Sequence, residues 1–217
     1  SMLQNMRQGI FTIVSGNSIH PEYSAYLKEI FETEEIASTS VLTFLFDDSD
    51  VGSDAKSQME AALDSMLDED SMMFEFNSHL LTTHYTKFFA RNRSKSLELD
   101  WNPVLNPNGQ IEKLMVTVRD VTELRILQSK AEEQKVELDI IGQILALSKE
   151  KLVEFVEGAY AFLNENRTLI EKNSVKNLEI IATLFRNIHT IKGNARTYGL
   201  TYITDRAHEA ETTYNQM

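Results

Sequence analysis

Phe185-Arg186-Asn187-Ile188-His189-Thr190-Ile191-Lys192-Gly193-Asn194-Ala195-Arg196-Thr197-Tyr198-Gly199-Leu200 is the stretch whose reading decides this chain. Ile181, Leu184, Ile188, Ile191 and Ala195 recur at steps of three and four, the spacing of a helix with one buried face. His189 lies off that stripe, and Lys192 and Gly193 stand one turn further along on its own face. An imidazole displayed beside an ammonium and a residue without a side chain can carry a bulky anion. Gly199 supplies the left-handed stop, and Thr201 is the expected N-cap of the next helix. There His208 and Glu211 share one face, while Ile203, Ala207, Ala210 and Tyr214 form the other. Folded back as an antiparallel hairpin, the polar face meets His189. A carboxylate that accepts from one ring nitrogen fixes the tautomer and leaves the other nitrogen as a free nucleophile.

The His189-x-x-Lys192-Gly193 core, the Ala195 to Leu200 continuation and the later His208-x-x-Glu211 resemble the histidine phosphotransfer (HPt) domain of CheA-type kinases. The resemblance implies that His189 is the phosphoacceptor, with Lys192, His208 and Glu211 as its hydrogen-bonded surround and Gly193 as support. It also implies a helical bundle of four core helices over 149–217, of which three are present. Its partners would be the ATP-binding domain of a histidine kinase and the aspartate of a response-regulator receiver domain.

Composition bounds the alternatives. The 217 residues suffice for one large or two modest domains, and 42% hydrophobic with 25% charged residues is ordinary for a globular protein. The absence of cysteine removes disulfides, thiolate metal sites and cysteine nucleophiles, together with any flavin adduct made through cysteine. A net charge of −12 argues against nucleic acid or anionic membrane as the principal partner. No apolar run approaches the roughly 20 residues of a membrane span, and no secretory signal stands at the start, so the segment is expected to be cytoplasmic. Ser1 ahead of Met2 reads as a cloning remnant, and the chain as an excerpt of something longer.

Residues 1–121 read as mixed α/β. Gly9 to Val14 is a β-rich run, followed by a turn at Ser15-Gly16-Asn17. Helical spacing covers Glu22 to Phe31 and returns at Met59, Ala62, Leu63, Met66 and Leu67. The acidic stretch from Asp47 to Asp54 reads as a loop, and Phe74 to Phe89 as strand in part. Leu97, Leu99 and Trp101 alternate on one side of a strand, Asn106-Pro107-Asn108-Gly109 has turn chemistry, and Leu114 to Val121 returns as the partner strand. This hairpin, ending in Asp120-Val121-Thr122-Glu123, and the opening Gly9 to Ile13 strand resemble a PAS sensor domain. Asp120 or Thr122 is a candidate cap for the helix that follows. His79 and His84 are the candidate haem or metal ligands here, although edge histidines are the commoner outcome, and the sequence names no ligand.

Over 122–148 a heptad marks a signalling helix. One seam runs through Leu124, Ala131, Leu138, Leu145, Leu152 and Ala159, the other through Leu127, Gln134, Ile141, Ser148, Phe155 and Phe162. With no proline between Glu123 and Glu171, one helix of about 45 residues is expected, near 70 Å long at 1.5 Å per residue. Its first half would be a parallel homodimer stalk. The first bundle turn is expected within 164–173, with Ser174 capping the His189 helix.

The fold class expected is therefore α+β: a PAS-like domain with an antiparallel sheet, a connecting coiled-coil helix, then an α-helical HPt bundle. The function expected is phosphorelay signal transduction under control of the sensor. The chain contains neither a P-loop nor a glycine-rich kinase lid, so ATP would be used by a separate module and this segment needs no cofactor of its own. Two rival classes are a dimeric scaffold with an inert motif and a metal enzyme with His189, His208 and Glu211 as ligands. Lys192 beside that trio would repel a cation.

Overall fold

The computed structural model describes residues 8–173 and 177–216. The chain divides into two compact units, Ser1–Gln128 and Ser129–Met217.

The first unit is built on a five-stranded antiparallel sheet of β1 (Gly9–Val14), β2 (Ser18–Ile19), β3 (His84–Phe89), β4 (Arg93–Leu105) and β5 (Ile111–Asp120), in spatial order β2-β1-β5-β4-β3. The expected hairpin forms as read, with Leu99 opposite Val118 and Trp101 opposite Val116. Leu97, Leu99 and Trp101 all turn into the core, and Trp101 Nε1–H donates to Thr82 O at 2.9 Å. Gly16 and Gly109 take positive φ values of 84° and 82° in the two expected turns. Four helices stand between β2 and β3: α1 (Tyr26–Phe31), α2 (Val41–Phe46), α3 (Ser53–Met66) and α4 (Ser71–Asn77). They close one core that includes Phe11, Ile13, Leu27, Leu45, Phe46, Met59, Leu63, Leu114 and Val116.

One boundary shifts, one helix goes beyond the sequence reading, and one segment read as strand in part divides into helix and strand. α1 begins four residues later than its periodicity reads. Ser24 lies ahead of the helix instead, its N–H donating to Ile10 O at 2.8 Å and its hydroxyl to Gln8 O at 2.6 Å. Val41–Phe46, given no helix by the sequence reading, is helical, with Val41, Phe44, Leu45 and Phe46 all buried. The front of Phe74–Phe89 belongs to α4, which Asp70 caps by accepting from Met72 N–H at 2.9 Å, and only its end is strand. Gly9 allows the closest approach between layers. A Cβ there would stand 2.7 Å from Leu27 Cδ2 and 2.9 Å from Ile30 Cδ1, so any larger residue would force these buried side chains of α1 to shift.

Asp120 and Thr122 join β5 to the next helix. Asp120 Oδ1 accepts from Thr122 N–H at 3.0 Å, and Thr122 Oγ1 accepts from Ser96 N–H at 2.9 Å. The helix that follows, α5 (Thr122–Leu145), buries none of its side chains. The single long helix expected through Glu171 is not formed: the helix ends at Leu145 and a new one, α6 (Lys149–Lys172), begins after three intervening residues. Ser148, read as a seam residue, is the N-cap of α6, accepting from Lys151 N–H at 3.4 Å. A serine in that position satisfies one of the otherwise unpaired first-turn donors, and this favours a new helix start over continuation.

In the second unit α6 packs on α7 (Leu178–Thr197), and α7 pairs with α8 (Thr201–Asn215) as a helical hairpin. Phe155, Ile188, Ile191, Ala195, Leu200 and Ala207 form its core, with Leu147, Ala159, Phe162, Tyr198, Ala210 and Tyr214 against it. The turn expected within 164–173 moves to the end of that range, because α6 runs through Lys172. Ser174 lies outside the described residues; the N-cap of α7 is Asn177, which accepts from Glu179 N–H at 2.9 Å. Among the described residues no helix is long and apolar enough to cross a membrane.

Candidate functional site

The α7–α8 hairpin positions the site. α7 buries Leu184, Ile188, Ile191 and Ala195, as its stripe requires, and this turns His189 and Gly193 outward. Gly199 takes a φ of 73°. Its N–H donates to Arg196 O at 3.2 Å, and Leu200 N–H donates to Ala195 O at 2.9 Å. These two bonds close a Schellman stop and set the angle at which α8 returns. Thr201 is the first residue of α8 rather than its cap; its Oγ1 accepts from Gln143 Nε2 at 2.7 Å.

The return places Glu211 beneath His189. The Glu211 side chain is only 6% exposed, against 63% for His189. His189 Nδ1 lies 2.8 Å from Glu211 Oε1, and Lys192 Nζ donates to Glu211 Oε2. His208 Nδ1 stands 3.7 Å from Oε2, near enough to feel the charge but beyond a hydrogen bond. The four residues singled out by spacing are therefore brought together. Within the surround, the Lys192 ammonium is engaged by Glu211. A Cβ on Gly193 would meet nothing within 4 Å, so the surface next to His189 is open.

Electrostatics assign the tautomer. Burial by itself would raise the Glu211 carboxyl, but hydrogen bonds from Lys192 and His189 outweigh it and hold the group below its ordinary value. Glu211 is therefore ionised at neutral pH and can only accept, so the ring nitrogen that faces it, Nδ1 of His189, is the one that carries N–H. A carboxyl depressed in the folded state stabilises the fold above its ordinary pKa, and that contribution is lost as pH falls through the folded value. Thermal melts of the whole chain and its Glu211→Gln variant should accordingly differ most at pH 7 and converge below the ordinary glutamate value of 4.5. A gap that stays constant down to about pH 3 would contradict this sign.

One part of the surround was not read from the sequence. Asn187, 5% exposed, and Asn166, 4% exposed, are buried between α7 and α6. Asn187 Nδ2 donates to Asn166 Oδ1 at 2.8 Å and to Glu165 Oε2 at 2.9 Å, and Asn166 Nδ2 donates to Leu184 O at 3.3 Å. Both asparagines fall on the apolar stripes of their helices, which was the available signal. A polar pair at such positions fixes the register of two helices. Phe185, one turn before His189, lies nearly parallel to the imidazole, with ring centroids 6.0 Å apart.

In the first unit, His84 pairs with Glu98 at 3.1 Å, and Glu98 pairs with Arg119 at 2.9 Å. Glu98 thus joins the two flanking strands through side chains. Among the described residues no group of three or more His, Cys, Asp or Glu is arranged to hold a metal ion.

Residues 143–217 match the family described as the Hpt domain. No curated protein matches the chain. Solved structures similar to it include an RNA-binding light-oxygen-voltage receptor, 14% identical with a TM-score of 0.43, covering 63% of this chain and 35% of that one. The PAS domain of the fruit-fly ELK potassium channel is 13% identical with a TM-score of 0.41, covering 56% of this chain and 92% of that one. A sensory box histidine kinase/response regulator from Burkholderia thailandensis is 16% identical with a TM-score of 0.37, covering 61% of this chain and 90% of that one. The chain thus spans about a third of the length of the first of these.

Proposed function

We propose that this chain is a phosphorelay carrier in which His189 takes a phosphoryl group from a CheA-type kinase module and passes it to a receiver aspartate. The observation that carries the reading is the 2.8 Å contact between His189 Nδ1 and the buried Glu211, which engages one ring nitrogen and leaves Nε2 as the other, on a side chain 63% exposed. The Hpt match over 143–217 supports the same role.

The transfer balances without help from a further residue. The Nε2 lone pair forms the N–P bond while the bond from the γ-phosphorus to the bridging oxygen breaks, and ADP leaves with that electron pair. The Nδ1 proton stays on the ring, where Glu211 stabilises the cation that develops. Receiver transfer runs the same way, with a carboxylate oxygen as the attacking atom. Such a reaction depends on placement and charge stabilisation more than on covalent chemistry from the protein. ATP is held by the other module, and no cofactor is needed here.

The test is incubation of the whole chain with radiolabelled ATP and a separate CheA-type catalytic fragment. Label should appear that is labile in acid, stable in alkali, and confined to the peptide containing His189. Absence of label, or label on another residue, would return the chain to the inert-scaffold reading.

The same proposal makes α5 a parallel dimer stalk that lets the PAS-like unit act on the carrier. Leu124, Leu127, Leu138, Ile141 and Leu145 of the heptad seams are all exposed, Leu138 at 68% and Leu145 at 78%, and a second copy would cover them. Sedimentation should show a dimer for the parent and a monomer for Leu138→Glu; a monomeric parent at high micromolar concentration would refute the stalk.

A further inference from the structure

A groove of about 460 Å³ runs beside His189, lined by His189, Lys192, Gly193 and Arg196 from α7 and by Thr204, Asp205 and His208 from α8. Arg196 has no part in the dyad described above. It stands three residues after Gly193 and seven after His189, so all three share one face of α7. Two turns of helix separate Arg196 from His189, about 10 Å along the axis. Side chains on a helix lean toward its N-terminus, so a long side chain at 196 covers the turn before its own Cα. That turn contains Gly193, where a Cβ would meet nothing within 4 Å. The missing side chain leaves a path along which the guanidinium can reach toward Nε2.

The charges around the site ask for such a group. Lys192 and Glu211 are bonded to each other and cancel locally. A phosphoryl group on Nε2 adds about two negative charges on three oxygens. Among the described residues no ion pair or side-chain hydrogen bond engages the Arg196 guanidinium, while the other arginine near this end of α8, Arg206, is held by Glu209 at 2.8 Å. A guanidinium fork matches phosphoryl oxygens in geometry and keeps its charge at every working pH. Asp205 on the opposite wall acts against it and sets a limit on how firmly the anion is held.

We infer that Arg196 is a phosphoryl-binding residue, which lies over Gly193 and clamps the phosphoryl group carried on His189 Nε2. This rests on the phosphocarrier reading and adds to it a residue that governs how long the charged form survives. The forked contact to the phosphoryl oxygens must be given up before the group can depart. A cation on those oxygens therefore stabilises the carried group more than the departing one, and slows hydrolysis.

The experiment loads the whole chain with phosphoramidate, a donor that requires no kinase and releases ammonia. After the donor is removed, decay of the phosphohistidine phosphorus resonance is followed. Arg196→Gln should load but lose its phosphoryl group about fivefold faster than the parent, the size expected for one partly exposed charge-assisted contact. Arg196→Lys should recover part of the lifetime, and Asp205→Asn should lengthen it. Arg206→Gln, which removes the same charge from the bundle away from the groove, should decay like the parent. Equal lifetimes for Arg196→Gln and the parent would overturn the clamp and leave the carrier reading standing. Equal shortening in Arg196→Gln and Arg206→Gln would reduce the effect to net charge and also overturn it. A parent chain that never loads would overturn both readings together.

Discussion

Exchanging His189 for Gln should bring phosphoryl uptake to background, and exchanging Glu211 for Gln should lower it about a hundredfold while the nucleophile is still present. The first result follows from removing the imidazole whose Nδ1 faces the buried Glu211. The second is more informative. A glutamine amide can present its NH₂ to Nδ1, and the ring then takes the other tautomer with its proton on Nε2. The nucleophilic lone pair is lost although no atom of the ring has changed. Loss of the carboxylate also leaves the Lys192 ammonium without its partner, at a cost of about 1–2 kcal/mol. The double variant Lys192→Met/Glu211→Gln separates these effects, because it should regain stability without regaining uptake. Kinetics with a CheA-type catalytic fragment, beside thermal melts, would measure both. Uptake by Glu211→Gln within about threefold of the parent would remove the acid from the mechanism.

The largest loss of stability should come from Phe46→Ala, at about 3–5 kcal/mol for the first unit. Phe46 is fully buried at the end of α2, and its ring meets Tyr85 of β3 with centroids 5.0 Å apart at 63°. Truncation would leave a cavity between helix and sheet and remove an edge-to-face contact as well. Chemical denaturation of the whole chain, followed through Trp101 in the same core, reports on this unit. A loss below about 1.5 kcal/mol would mean that the surrounding helices collapse into the space.

The site was legible in the sequence because helical spacing is a strong constraint. Once His189, Lys192 and Gly193 lie on one helix and His208 and Glu211 on the next, a tight turn at Gly199 leaves few ways to fold that keep both apolar stripes buried. Sequence spacing could not show that Lys192 would be held by Glu211, since that depends on where a flexible side chain finds its nearest charge. Nor could it show that Arg196, quoted within the motif, lines the groove. In the first unit the β4–β5 hairpin carried its own turn residues and alternation, and it formed as read. Val41–Phe46 did not, because a short apolar run rich in aromatic and branched residues has no helical signature of its own. Burial of Val41, Phe44, Leu45 and Phe46 outweighs their propensity. The heptad misled for a related reason. Its spacing continues through Ser148, where a capping serine ends one helix and begins another; beyond it Phe155, Ala159 and Phe162 face the bundle, as expected of the second half of the heptad.

The Schellman turn at Gly199 has a consequence for how the chain acquires its chemistry. The paired imidazole and acid are 22 residues apart, and both belong to one helical hairpin with a connection of only a few residues. Closing so small a loop takes little entropy, and contacts of short sequence separation form early and fast. The pair should therefore assemble before the slower antiparallel sheet, so that His189 and Glu211 can already meet in a nascent or partly unfolded chain.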